Sequence, residues 1–262
     1  MQKLGIKIWS RDVLKNRAFF DETVKAAKEG LFEYIELFAF PNSYDDTCDV
    51  IRKEMSGTKV IIHNSHSAYG FDTGDKNRLE SNLRDVNDSK KFADMLKAEM
   101  IIVHTGCGDH PENLEETVRQ FKIFNDKRIA VENMPYLCSV SKKVLHGTSP
   151  EQIESIKKET GCKFCLDFSH ATCAANYYKK DVMSEIKRFQ KLHPDMYHIC
   201  DGFKDEINDK HLHFGEGNYD LSYFVNEIIS DDTFVTMETG YTPPVDIQPW
   251  IKDRNYFRSL KK

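Results

Sequence analysis

Six short apolar runs in this chain end on a side chain able to hold a metal or move a proton: VIIH at His63, IIVH at His104, AVE at Glu132, FCLD at Asp167, MYH at His198 and VTME at Glu238. One histidine or glutamate after a strand says little, because such groups often satisfy local hydrogen bonds. Six in succession are hard to assign to packing. Apolar runs of this length fit strands buried on both faces, as in a parallel sheet. Polar groups gathered at the carboxyl ends of such strands are where barrels carry their chemistry.

The runs alternate with longer segments of helical period, the pattern of repeated βα units. Strands are expected at residues 4–8, 34–37, 60–63, 101–104, 129–132, 164–167, 196–198 and 234–238. Helices are expected at 19–28, 46–55, 76–97, 111–124, 150–160, 180–192 and 221–229, with an irregular eighth at 247–260. Pro111 before Glu112, and Ser149-Pro150-Glu151, are good helix starts, since proline and acidic groups suit a first turn. Eight strands and eight helices make an α/β fold, a closed (βα)8 TIM barrel. A single domain over residues 1–262 is expected, because barrels of this kind run to about 250 residues. The longest irregular stretch, 133–148, follows Glu132 and should overhang the site as a substrate loop.

Composition narrows the function. The net charge of −5 argues against broad attraction to nucleic acid, which depends on lysine and arginine neutralising phosphates. No apolar stretch reaches the ~18 residues needed to span a bilayer, so no membrane partner is expected. The opening residues lack the apolar segment of a secretory signal, so a soluble, cytoplasmic protein is expected. Seven scattered cysteines read as buried thiols. Cys162 and Cys165 lie three apart in a strand, which turns them to opposite faces and argues against a redox or zinc pair.

Two further groups join the strand ends: His170 in DFSH, and Asp209 with His211 in DKHLH. In an extended segment residues two apart share a side, so Asp209 and His211 can grip one ion. The full set is His63, His104, Glu132, Asp167, His170, His198, Asp209, His211 and Glu238. Imidazole with carboxylate suits zinc or manganese. Charge bears on the number of ions: four carboxylates with one divalent ion keep a net −2, whereas three ions leave +2, and only the fuller site attracts phosphate.

The motifs IIHNSH, IIVHTG, AVENMP, LDFSHA, YHICD, DKHLHFGEGN and METG, in this order, resemble the endonuclease IV family of apurinic/apyrimidinic endonucleases, within the xylose-isomerase-like TIM barrels. The resemblance implies three zinc ions per chain, with manganese an alternative at one site. One would be held by His63, His104 and Glu132, a second by Glu132, Asp167, His198 and Glu238, and a third by His170, Asp209 and His211. Glu132 would bridge two ions that share a hydroxide, the nucleophile, and would be the central catalytic side chain. The implied reaction is hydrolysis of the backbone of damaged double-stranded DNA 5′ to an abasic site, in base-excision repair. A monomer without an obligate protein partner is implied.

The amino-terminal quarter departs from that family. IKIWSRD replaces a glycine-rich opening, FPNSYDD puts Asp45 and Asp46 where a basic residue would help DNA binding, and the nearest stacking candidates after His63 are His66 and Tyr69. His66, His110 and His213 are candidates for orienting a ligand or contacting substrate, against an equally good reading as solvated loop residues. Glu36, in YIELF, reads as core or barrel floor. Gly215-Glu216-Gly217 reads either as a phosphate-approach turn or as a turn opening a helix at Asn218. Aromatics such as Trp9, Tyr136, Tyr177 and Tyr178 read as core or rim. The alternative function is a sugar isomerase or epimerase with one ion on Glu132, Asp167, His198 and Glu238, where two glutamates exchange a proton. A third reading is a barrel that binds metal or a phosphorylated ligand without turnover.

Overall fold

The computed structural model describes residues 1–138, 140–240 and 245–261. Among these, strands β1 (Lys3–Trp9), β2 (Tyr34–Phe38), β3 (Val60–His63), β4 (Ile101–His104), β5 (Ile129–Glu132), β6 (Lys163–Asp167), β7 (Met196–Ile199) and β8 (Phe234–Met237) pair in chain order. Every pairing is parallel, and β8 closes on β1. Around them run α1 (Asp12–Lys15), α2 (Arg17–Lys28), α3 (Tyr44–Glu54), α4 (Leu79–Leu96), α5 (Pro111–Phe124), α6 (Pro150–Thr160), α7 (Phe168–Tyr177), α8 (Val182–Gln190), α9 (Leu221–Tyr223) and α10 (Gln248–Leu260). The expected closed barrel is the observed one. No helix among the described residues is long and apolar enough to cross a membrane.

Strand alternation splits the buried residues into two clusters. Leu4, Ile35, Ile62, Val103, Val131 and Leu166 face the helices in the large core. A smaller cluster inside the barrel contains Tyr34, Ile61, Ile102, Ala130, Cys165, Met196 and Phe234. Two residues further along the same strands stand Glu36, His63, His104, Glu132, Asp167, His198 and Thr236. One step of the pleat therefore carries the interior from an apolar floor to a polar mouth. Register aligns the polar layer, because His104 pairs with Glu132, Asp167 with His198, and Lys7 with Glu36.

Three local expectations are corrected, and one is given a place in the fold. An additional helix, α7, begins directly after Asp167, whose carboxylate caps it, so His170 sits on a helix. The segment expected as one helix at 221–229 is a short α-turn that widens into a π-helix at Phe224–Ile228. No helix opens at Asn218; Asp220 caps α9, which starts three residues after Asn218. Asp45 and Asp46 fall in the first turn of α3, where acidic groups favour the helix amino end. The seven cysteines are free, and Cys165 lies in the barrel interior.

Tyr34 crosses the floor of the barrel and its hydroxyl meets Thr236 Oγ1 at 2.6 Å. Gly5 on β1 makes room for it, since a Cβ there would run into the tyrosine ring. Gly5→Ala should therefore cost about 1–3 kcal/mol by overpacking, lowering the thermal midpoint by about 2–4 °C per kcal/mol in a chain of this size. Calorimetry on the purified variant checks this, and an unchanged midpoint would mean that the ring does not fill the floor.

Candidate metal centre

Glu132 is fully buried at the end of β5, and its two oxygens face different partners. Oε2 lies 3.0 Å from His104 Nε2 and 3.4 Å from His63 Nε2. Oε1 lies 3.2 Å from His198 Nδ1 and 3.3 Å from His170 Nδ1. Five overlapping donor sets result among the described residues, each with its atoms within 4.8 Å of one another: His63, His104, Glu132; Glu132, Asp167, His198, Glu238; His170, Asp209, His211; Glu36, His63, His198, Glu238; and Glu132, Cys165, His198. The nine side chains singled out in the sequence thus meet at one end of the barrel.

The local chain aims these groups. His63 Nδ1 hydrogen-bonds to the Asn64 carbonyl at 2.7 Å, His170 Nδ1 to the Asn133 carbonyl at 2.9 Å and His211 Nδ1 to the Glu238 carbonyl at 2.6 Å. Each bond ties the Nδ1 proton to the backbone and turns Nε2 into the centre. Asp167 Oδ1 accepts from the His170 amide at 2.6 Å as the α7 cap, which leaves Oδ2 for the centre. Asn133 links β5 to β6 by exchanging two hydrogen bonds with the Asp167 backbone. Ser169 Oγ donates to Asp209 Oδ1 at 2.6 Å, turning Oδ2 towards His170 and His211. Asp209 and His211 do not meet by strand alternation; His211 adopts a φ of 45°, a left-handed turn that brings its ring back onto Asp209.

The residues present fit divalent ions. His63 Nε2, Asp167 Oδ2 and Glu132 Oε2 are buried without a hydrogen bond, although each belongs to a donor set. Orphaned buried atoms cost about 1–3 kcal/mol each, and ions at the His63, His104, Glu132 set and at the Glu132, Asp167, His198, Glu238 set would satisfy them.

Without ions, protons hold the cluster together. Burial would raise Glu132, yet His198 and His104 keep it well below the usual carboxylate range. Burial and Glu132 act oppositely on His104, and burial wins, pulling it to about 4. Burial raises Asp167 to about 7, with Glu132, Asp209 and Glu238 adding to the shift. Burial would lower His211, but Asp209 outweighs it and holds the imidazole at about 9.

The neighbouring residues divide. His66 lines the mouth; its Nδ1 accepts from the Ala68 amide at 3.3 Å, and its ring stacks on His104 at 5.5 Å. His213 holds Asp253 at 2.7 Å and packs on Trp250. His110 is not part of the site: it is exposed at the start of α5 beside Asp109, because its loop ends in the helix rather than over the barrel. The amides of Gly215 and Gly217 both donate to Asp201 Oδ2, at 2.9 and 3.0 Å, so an internal carboxylate already fills that turn.

Three residues outside the expected set belong to the mouth. Glu36 is fully buried and accepts from His198 Nε2 at 2.9 Å and Thr236 Oγ1 at 2.5 Å. Lys7 bridges Glu36 and Glu238. Arg11 lies 4.2 Å from the Trp9 ring and 4.1 Å from Phe40. The signal for the first two was alternation: both share the inward phase of the floor residues. Above the centre lies a cavity of about 410 Å³ walled by Trp9, Phe38, Tyr69, Met134 and Leu137, the last two from the overhanging loop expected at 133–148.

The chain belongs to the family described as Xylose isomerase-like TIM barrel, which it matches over residues 24–260. No curated protein matches it. Among solved structures it is similar to a D-tagatose 3-epimerase-like protein (18% identity, 99% of this chain and 97% of that one covered, TM-score 0.73). It is similar to endonuclease IV from Thermus thermophilus (19%, 98% and 98%, 0.68). It also resembles a family 2 AP endonuclease from Brucella melitensis (16%, 100% and 100%, 0.71). At these identities the likeness establishes the fold alone.

The protonated cluster has a consequence for pH. His211 is held at about 9 against about 6.5 when unfolded, so its proton stabilises the ion-free fold below about 6.5 and the contribution fades as pH rises through about 9. An ion at the His170, Asp209 and His211 set must displace that proton. Zinc affinity there should rise about tenfold per pH unit between about 7 and 9 for each proton displaced, then level off. Calorimetric titrations in buffers of different ionisation enthalpy count the protons; uptake independent of pH across this window contradicts the assignment.

Proposed function

We propose that this chain is a zinc-dependent phosphodiesterase that cuts the DNA backbone 5′ to an abasic nucleotide. The observation that carries the reading is that His63, His104 and Glu132, and His170, Asp209 and His211, form donor sets of their own beside Glu132, Asp167, His198 and Glu238. A one-ion isomerase has no use for His63, His104, Asp209 and His211 gathered around Glu132. The net positive charge that three ions would leave also answers the acidic composition, since attraction to phosphate then comes from the centre rather than from the surface.

With ions bound, the centre would supply an activated water and positive charge against the phosphoryl and leaving oxygens. The chain's own contribution is position. Glu132 spans two sets through its separate oxygens, which fixes their spacing. Arg11 lies over the Trp9 and Phe40 rings and makes no salt bridge among the described residues, so its N–H edge is available to a phosphate oxygen. Trp9, Phe40 and Tyr69 pack as one aromatic wall beside it, a surface for a deoxyribose or a neighbouring base.

A second reading is a single-ion sugar epimerase, favoured by the cavity: about 410 Å³ with largely apolar walls suits a small ligand as well as an extruded nucleotide.

Freshly purified protein should contain three zinc ions and nick a labelled abasic duplex, with activity lost to a chelator and restored by zinc. Glu132→Gln should lower kcat by about 10²-fold or more, because several kcal/mol of charge stabilisation depend on the bridged centre. One ion per chain, an intact duplex and turnover of a ketose would replace this reading with the second. Arg11→Ala should raise KM for the duplex by about 10- to 100-fold, the worth of one charge-assisted hydrogen bond, with kcat nearly unchanged. Steady-state kinetics separate the two constants, and an unaltered KM would remove Arg11 from the substrate site.

A further inference from the structure

Three imidazoles of the centre direct Nδ1 to a backbone carbonyl and present Nε2. His198 is reversed. Its Nδ1 faces Glu132 at 3.2 Å and Glu238 at 3.0 Å, and its Nε2 meets Glu36 Oε2 at 2.9 Å. We propose that Glu36 is the positioning residue of the four-donor set: its carboxylate takes the Nε2 proton of His198 in a hydrogen bond and so commits Nδ1 to the ion. A carboxylate–imidazole–metal chain of this kind fixes the ring's tautomer and orientation and makes its donor nitrogen more basic.

The surroundings of Glu36 are built for the role. It has no solvent exposure, and Thr236 Oγ1 donates to the same Oε2 at 2.5 Å, with Tyr34 OH behind that hydroxyl at 2.6 Å. Tyr34, Thr236 and Glu36 thus form one polar chain that holds the carboxylate from below. Its charge is balanced by Lys7, directly opposite in the β1–β2 register, with Nζ 3.5 Å from Oε1. A buried carboxylate needs such a partner. Lys7 also contacts Glu238, so an ion held by Glu132, Asp167, His198 and Glu238 would share that ligand with a fixed internal cation.

The inference rests on the metal centre proposed above and not on its substrate. It is tested on the full chain with zinc by competition against a chromophoric chelator, and by long-range proton–nitrogen spectra of the histidine rings. In the wild type, His198 should show a protonated Nε2 and a coordinated Nδ1. Glu36→Leu should weaken one of the bound ions by about 10- to 100-fold, as for other lost partners of ligand histidines, and abolish the single His198 tautomer. Glu36→Gln keeps the shape of the side chain and an oxygen acceptor, so it should fold as the wild type does and show a smaller loss of the same ion. Wild-type zinc affinity in both variants overturns the proposal, as does coordination of His198 through Nε2. Loss of an ion with the His198 tautomer unchanged also overturns it, since Glu36 would then be a direct ligand. A wild-type chain that takes up no zinc removes the metal centre itself, whereas a zinc-loaded chain inert towards DNA leaves this inference standing.

Discussion

Five carboxylates, the buried Glu36, Glu132, Asp167 and Glu238 and the partly buried Asp209, gather at one end of this barrel, and their mutual repulsion is the constraint that everything around them answers. Taking one ion out of water costs several kcal/mol even after relaxation, and five of like sign cannot be accommodated by packing. The chain supplies opposite charge in two forms. Lys7 is permanent, bound to both Glu36 and Glu238 and held well above the ordinary lysine range because those carboxylates outweigh its burial. The imidazoles are exchangeable: burial would discharge His198 and His170, yet the carboxylates around them keep both well above the usual histidine range. Protons on those rings balance the same charge that divalent ions would balance, so the donor atoms are already gathered in the ion-free fold.

That need for compensation explains the architecture. A period of two along a strand gives every second residue to the interior, so an apolar floor and a polar mouth can be written into four or five residues. Cys165 and Asp167, Met196 and His198, or Ile61 and His63 are each such a pair. The floor excludes water from below, which strengthens every electrostatic contact above it.

Much of this was legible in the sequence. Strands β3, β4 and β5 lie where the apolar runs placed them, because a buried parallel strand has few ways to be written. The donors at their ends were visible because a polar residue closing an apolar run needs a reason. Glu36 was passed over for the same property that makes it matter: it sits inside its strand, where a glutamate reads as an anomaly of the core. Its inward phase, two residues after Tyr34, was the available signal. Helix α7 escaped because FSHATCAANY is small and mixed in polarity, its start set by a single side-chain cap from Asp167. His211 joined the right partners for a different reason from strand alternation, since its left-handed backbone is fixed by the Glu238 carbonyl and by Asp209, contacts that no local pattern announces. His110 shows the reverse case: a histidine close in sequence to His104 is carried off by a helix that begins at Pro111.

What separates hydrolysis from isomerisation in such a barrel is the ground outside the four-donor set. Glu132, Asp167, His198 and Glu238 serve either chemistry, and neither the fold nor this subset discriminates. Additional donors here are each aimed by a dedicated contact: His63 by the Asn64 carbonyl, Asp209 by Ser169, and His211 by the Glu238 carbonyl. Residual ancestry would leave side chains, not a set of hydrogen bonds that each turn the ligand atom inward. The amino-terminal differences bear on the same question from the substrate side. Trp9, Arg11, Phe40 and Tyr69 form an aromatic and cationic rim in the quarter of the chain where the endonuclease-like motifs are missing, so the entrance above the donor sets is this chain's own.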